Sequence, residues 1–394
     1  MTWTCATANA EWSARSGHTS VVLDNKMWVI GGNSGRDVWY STNGVNWTQA
    51  TANAQWSPRN DFTSVVFDNK MWVIGGTYIN DVWYSTNGVN WTQATANAKW
   101  SPRSDFTSVV FDNKMWLMGG LNYPNVYNDV WYSADGVNWI LATTNALWQA
   151  RYLHTSVVFD NKIWLFGGNS DSGFLNDVWY STDGVHWTQA TANAAWTARQ
   201  FHTSVVFDNK MWVIGGIDTS GRKNDVWYST NGVNWTQATA SAGWSARYLN
   251  ASVVFDNKIW VMGGWDGNSH RNDVWHSAGL GIEEERSPLS ADRISLEVYP
   301  NPAQSLTAIR YSLLSPSPLS SPIKGEEFAE VSLQLYNISG RLVKTLVNEP
   351  KNTGDYSIIW NGTDDNGRKV GEGVYFCILK TGGKSLQKKI MLVK

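Results

Sequence analysis

Apolar and polar residues alternate along this chain in short runs, without the helical recurrence at every third and fourth position. One stretch shows the pattern. Thr63-Ser64-Val65-Val66-Phe67 is followed by Asp68-Asn69-Lys70, then by Met71-Trp72-Val73-Ile74-Gly75-Gly76. Asp81-Val82-Trp83-Tyr84-Ser85 comes next, then Asn87-Gly88, then Val89-Asn90-Trp91-Thr92-Gln93-Ala94. β-Branched and aromatic residues fill the runs and suit a pleated, half-buried surface. Asp-Asn-Lys and Asn-Gly between them are tight-turn signals. The pattern predicts four short antiparallel strands in the stretch.

The stretch recurs. Gly-Gly pairs begin at Gly31, Gly75, Gly119, Gly167, Gly215 and Gly263, at intervals of 44, 44, 48, 48 and 48 residues. The four additional residues of the longer copies fall between Gly-Gly and Asn-Asp-Val-Trp, where a longer loop is expected. The sixth copy ends at Asp273-Val274-Trp275-His276-Ser277 and lacks a fourth strand. Trp3-Thr4-Cys5-Ala6-Thr7-Ala8-Asn9-Ala10-Glu11-Trp12 matches Trp47-Thr48-Gln49-Ala50-Thr51-Ala52-Asn53-Ala54-Gln55-Trp56, so residues 3–8 are expected to supply it. Repeated four-stranded units with fixed glycines and aromatics describe propeller blades. The pattern resembles Kelch repeats: an Arg before strand one, Gly-Gly after strand two, an aromatic in strand three and a Trp in strand four. The resemblance covers residues 1–278. It implies an all-β fold, a six-bladed β-propeller closed by the N-terminal strand.

Composition narrows the partners. The chain has 394 residues, a net charge of −2 and only 16% charged residues, so no basic face is available for nucleic acid. No apolar run is long enough for a transmembrane segment. Cys5 and Cys377 stand far apart in the chain, which argues against a disulfide framework or a cysteine metal site. Of the 26 tryptophans, Trp28, Trp72, Trp116, Trp164, Trp212 and Trp260 are read as packing between blades. A monomer is expected.

The copies differ in two places. One follows the Arg: Ser16-Gly17-His18, Asn60-Asp61-Phe62, Ser104-Asp105-Phe106, Tyr152-Leu153-His154, Gln200-Phe201-His202 and Tyr248-Leu249-Asn250. The other follows Gly-Gly, as at Asn33-Ser34-Gly35-Arg36 and at residues 265–271. Antiparallel alternation puts both on one face, and a constant scaffold with variable loops on one side is what binding requires. The expected contacts are His18, Asp61, Asp105, Tyr152, His154, Phe201, His202, Tyr248, Trp265 and Asp266. Arg15, Arg59, Arg103, Arg151, Arg199 and Arg247 join them as candidates for the channel mouth. Their alternative role is a fixed ion pair with Asp37, Asp81, Asp129, Asp177, Asp225 and Asp273.

The expected function is therefore a binding module for a glycan or protein ligand. The alternative is a secreted carbohydrate-active enzyme, sialidase- or epimerase-like, working at the channel mouth with two acids. No catalytic residue, cofactor or metal is assigned. His18, His154 and His202 share a slot, but Phe62, Phe106 and Asn250 fill it in the other copies. Galactose oxidase shares the Kelch fold, but its Cys–Tyr copper chemistry finds only Cys5 here. Ser181-Thr182-Asp183-Gly184-Val185-His186-Trp187 is similar to a turn of sialidases that is structural there.

Beyond Gly281 the repeat stops. Residues 279–293 read as a linker, and residues 294–394 as short strands of an immunoglobulin-like β-sandwich. The Pro/Ser-rich residues 315–330 read as a disordered insertion. Tyr299-Pro300-Asn301-Pro302, Tyr336-Asn337-Ile338-Ser339-Gly340-Arg341 and Trp360-Asn361-Gly362-Thr363-Asp364-Asp365-Asn366-Gly367 resemble two related domains. These are the C-terminal sorting domain of type IX secretion cargo and the immunoglobulin-like domain of the flagellar hook-capping protein. The resemblance implies the secretion machinery as a partner. It also implies a secreted or outer-membrane location on a Gram-negative bacterium, although Met1-Thr2-Trp3 begins in mid-motif without a signal peptide.

Overall fold

The computed structural model describes residues 1–278, 294–299, 303, 307–313, 329–337, 340–352, 354–381 and 384–393. The chain divides into two compact units, Met1–Ile282 and Glu283–Lys394. Every regular element among the described residues is a β-strand. No helix among them is long and apolar enough to cross a membrane.

In the first unit, the strands Thr19–Leu23, Lys26–Gly32, Gly35–Ser41 and Thr48–Thr51 pair in chain order as one antiparallel sheet. The same order recurs in the sheets that begin at Thr63, Thr107, Thr155 and Thr203. The Thr203 sheet gains a two-residue strand, Arg199–Gln200, beside Lys210–Asp218. The last sheet combines Ala251–Phe255, Lys258–Trp265 and His270–Ser277 with Trp3–Thr7. In it Trp3 lies opposite Ser277 and Cys5 opposite Trp275. Each first strand lies beside the first strand of the next sheet, and Ala251–Phe255 lies beside Thr19–Leu23. These are sheets of the propeller-blade type.

The repeated sequence explains the repeated structure. Asp68 and Asn69 take φ of 49° and 56°, the two positive values of a type I′ hairpin turn, and the other Asp-Asn turns do likewise. Trp28, Trp72, Trp116, Trp164, Trp212 and Trp260 each donate their indole N–H to the backbone carbonyl five residues earlier. Trp28 also presses under the Asn-Gly turn of the following sheet: a Cβ on Gly88 would sit 2.2 Å from its ring. A glycine is required at that turn by contact as well as by its φ of +72°.

The expected longer loops are instead longer strands. In the third sheet the additional residues add the rungs Leu121↔Val126 and Asn122↔Asn125 to the hairpin, and the fourth and fifth sheets do the same. The first two sheets turn at once, through Asn33-Ser34 and Thr77-Tyr78, all four at positive φ. Paired strands satisfy their own backbone groups, which an irregular insertion of four residues would leave to water.

The second unit has two sheets. One orders Ile294–Tyr299, Thr307–Leu313 and Gly354–Trp360; the other orders Leu342–Lys351, Ala329–Asn337, Gly373–Thr381 and Lys384–Leu392. Leu296, Ile309, Tyr311 and Leu313 from the first meet Leu333, Leu335, Cys377, Leu379 and Ile390 from the second in one buried core. Trp360 packs edge-on against Tyr375 and donates its N–H to the Thr363 carbonyl at 2.8 Å. Of the expected insertion at 315–330, Ala329 and Glu330 open a strand; the remainder lies outside the described residues, as does the expected linker at 279–293.

Candidate functional site

Each first strand of the propeller-type unit is entered through the same short segment: a Trp, an Arg three residues on, a variable residue, a residue at positive φ, and a slot side chain. The six arginines are 0–2% exposed. Arg59 donates to both carboxylate oxygens of Asp81, to the Gly75 and Ser57 carbonyls, and to the Ser57 hydroxyl. All five of its N–H donors are thereby used. Arg15 repeats the set with Asp37, Gly31 and Ser13. Burial alone would raise the Asp37 pKa, but the Arg15 hydrogen bond and charge outweigh it and hold the carboxyl below its ordinary value. The expectation that these arginines ring the mouth as ligand contacts is corrected here. Arg15, Arg59, Arg103, Arg151, Arg199 and Arg247 are bidentate partners of Asp37, Asp81, Asp129, Asp177, Asp225 and Asp273, inside the sheets.

Two residues further on, a collar forms. Gly17, Asp61, Asp105, Leu153, Phe201 and Leu249 all take φ between 55° and 63°. Left-handed backbone is unusual for Leu and Phe, and such strain gathers where function needs it. The collar residues bond across sheets: Asp105 N–H to Asp61 C=O at 3.1 Å, Leu153 to Asp105 at 2.9 Å, Phe201 to Leu153 at 3.2 Å. Leu249 then bonds to Phe201 at 3.4 Å and Gly17 to Leu249 at 3.2 Å. Among the described residues the one link not formed runs from Asp61 to Gly17.

The slot side chains follow. His154 shows their setting: its Cβ lies over Gly168 of its own sheet, and its ring tip lies over Gly119 of the preceding one. Phe62 does the same with Gly76 and Gly31, and His18 with Gly32 and Gly263. The second glycine of each pair thus clears the slot side chain of its own sheet, and the first clears that of the next. His18, His154 and His202 also tilt against Trp12, Trp148 and Trp196, as Phe62 and Phe106 tilt against Trp56 and Trp100. They are packing imidazoles. Burial first, and the neighbouring arginine second, hold His18 and His202 neutral with pKa values near about 3, and push His154 well down too. The backbone of Met262, Met118 and Phe166 approaches these rings and pulls their pKa values the other way, but no ring nitrogen reaches full hydrogen-bond geometry.

Collar and slot together line a cavity of about 160 Å³. One wall carries Asp61 and Asp105; the facing residues include Leu153, Phe201 and Leu249. Asp105 is pushed up to about 7, by burial first and by the Asp61 charge second, and burial raises Asp61 as well. Below the slot a second cavity of about 250 Å³ is ringed by hydroxyls, joined between sheets as Thr19–Ser64, Thr63–Ser108, Thr107–Ser156 and Thr203–Ser252.

Residues 137–277 match the KLHDC2/KLHL20/DRC7 Kelch-repeats domain, and residues 320–381 match the FlgD Ig-like domain. The solved structure of YjhT shares the fold with a TM-score of 0.58 over 68% of this chain and 96% of that one, at 14% identity. Among curated proteins none matches.

In the Kelch-type unit, His18, Asp61, Asp105, His154, Phe201 and His202 come together at the cavity as a set. Tyr152, Tyr248, Trp265 and Asp266 do not line it. Tyr152 accepts a hydrogen bond from Asn169, Tyr248 tilts its ring against Phe201 at 5.2 Å, and Trp265 packs on His270 at 4.6 Å. Asp266 is 7% exposed and is occupied by its own turn, through the Asn268 and Ser269 N–H groups and Arg271. The two variable segments are nevertheless bonded to each other, as in the reciprocal Tyr152–Asn169 and Tyr248–Trp265 backbone pairs. Gly17, Phe62, Phe106, Leu153, Leu249 and Asn250 also line the cavity; they belong to the variable segments but were not among the expected contacts, although their shared offset from each Arg was a signal for them.

Proposed function

We propose that the six sheets are blades of one propeller, closed where Trp3–Thr7 completes the last of them, and that this ring is a binding module for a glycan or protein. The observation that carries the reading is the convergence of the variable segments after each Arg on one cavity, on otherwise repeated sheets, with the segments after Gly-Gly bonded behind them. The Kelch-repeats match supports it, since propellers of this type commonly bind ligands or proteins. A screen of glycan and peptide arrays tests it, with wild type set against Phe201→Ala, Tyr248→Ala and Trp265→Ala. Ligands captured by wild type and lost with Phe201→Ala or Tyr248→Ala support the mouth; capture indifferent to all three substitutions sinks it.

One observation favours a second reading as a carbohydrate-active enzyme: Asp61 and Asp105 are neighbouring acids whose proton affinities are both raised. Release of the aryl group from aryl glycosides by wild type, abolished by Asp105→Asn, supports that chemistry.

For the second unit the FlgD-like match supports an attachment or delivery role. Within that role we favour type IX export to the outer surface of a Gram-negative cell, as a monomer. Fusing residues 294–394 to a reporter in a type IX-competent strain tests it: a reporter kept in the periplasm rules the route out.

A further inference from the structure

We infer that the mouth receives an organic cation, a primary ammonium or guanidinium group, seated against Asp61 and Asp105. The inference rests on reading the mouth as a ligand site. It starts from how the unit treats its other carboxylates that are buried or half-buried. Asp37, Asp81, Asp129, Asp177, Asp225 and Asp273 each have an arginine; Asp218 has Lys223 at 2.9 Å, and Asp266 has Arg271. Asp61 and Asp105 have no cation among the described residues. The Asp61 carboxyl makes no hydrogen bond among them, and that of Asp105 accepts one, from Ser104 at 3.0 Å. Two adjacent, partly buried acids without a counter-charge are costly to hold. Their upward pKa shifts are that cost seen from the proton's side. The other titratable groups lining the cavity, His18, His154 and His202, are neutral and relieve none of it.

A second observation is independent of charge. Asn250 is 8% exposed and lines the same cavity, and neither its amide nitrogen nor its carbonyl oxygen has a partner. Its Oδ1 is turned toward Gly215 between the sheets, so a small rotation toward the cavity brings both open amide atoms to a ligand. Shape agrees as well. Leu153, Phe201 and Leu249 offer an apolar wall for methylene groups. Gly17 leaves space beside Asp61, since even a Cβ there would lie 3.6 Å from its Oδ1. Among the described residues no three His, Cys, Asp or Glu side chains converge on one point.

Calorimetry on the full chain at about pH 7.5 and low salt tests the inference. The probes are Nα-acetyl-lysine amide, Nα-acetyl-arginine amide and glucosamine, with neutral Nα-acetyl-norleucine amide and N-acetylglucosamine as counterparts. Asp61→Asn/Asp105→Asn is the variant, because Asn keeps both the left-handed backbone and the side-chain shape. A cationic probe should bind saturably, weaken about tenfold or more in the variant, and outcompete its neutral counterpart. Preference between the amino-acid amides and glucosamine then tells a basic peptide side chain from an amino sugar. Equal binding of neutral counterparts, an unchanged variant of native melting temperature, or no binding of any cation overturns the inference. Array ligands that still bind the Asn variant but are lost with Tyr248→Ala would leave the mouth reading standing while the cation falls.

Discussion

At His18, His154 and His202 an imidazole stands where Phe62 and Phe106 stand in other sheets, and the difference is a titratable group without a partner. A histidine held neutral when folded but titrating near about 6.5 when unfolded makes the unfolded chain bind more protons below that pH. Stability should therefore be full above about pH 6.5 and fall as the pH drops toward about 3, by on the order of 1 kcal/mol per histidine at about pH 5.5. Urea melts of His154→Phe at about pH 7.5 and 5.5 should show a smaller acid loss than wild type; an equal loss would mean the ring is hydrated. Asp105 works in the opposite sense. Raised to about 7, it holds a proton that the unfolded chain has released, so its contribution is full below about pH 4 and is lost as pH rises through 7. Asp105→Asn should raise the melting temperature at about pH 8 and leave it nearly unchanged at about pH 4. The sequence made these side chains visible through their shared slot, but not their setting. Only the contacts with both Gly-Gly pairs reveal that the slot points between sheets.

At the scale of elements, the strand runs, the turns and the pairing of residues 3–7 with the last sheet were all legible, because period-two alternation and Asp-Asn or Asn-Gly turns are local signals. The lengthened hairpins were not. Asn122-Tyr123-Pro124-Asn125 carries loop chemistry in its letters, and only the register shows Asn122 facing Asn125. Replacing residues 121–126 by Asn-Gly should reproduce the short turn of the first two sheets. The expected cost is less than about 1 kcal/mol by chemical melting, because no buried side chain is removed. Removing residues 1–7 is a different matter. It strips Trp3 from its edge-on contact with Trp244 at 4.4 Å and exposes the edge of His270–Ser277. The melting temperature should drop by roughly 10 °C, corresponding to about 3–5 kcal/mol. A shift within error would show that this strand contributes nothing.

Over the whole molecule, the arginines show what a repeat leaves open. One per repeat at a fixed position fits either a ring of ligand contacts or a brace, and spacing alone cannot separate them. The separation comes from donor use: every guanidinium N–H of Arg59 is spent on its own sheet. Arg59→Ala should accordingly cost about 3–5 kcal/mol by leaving Asp81 buried without its counter-charge. Arg59→Ala/Asp81→Ala should recover part of that loss, a result a ligand-contact role would not give. The candidate cavity was half legible, since Asp61, Asp105 and the histidines stood out as chemistry. Gly17, Leu153, Leu249 and Asn250 carry no such label, and they are recruited by backbone conformation.

The joint between Trp3–Thr7 and His270–Ser277 also has a direction. Trp3 faces Ser277 and Thr7 faces Val274, so the start of one strand and the departure of the chain from the other lie at the same end of the pair. Tension applied between Met1 and the C-terminal unit would load those hydrogen bonds singly, as tape is peeled, and not together as in sliding. The last sheet is thus most yielding under load at the strand pair that completes it.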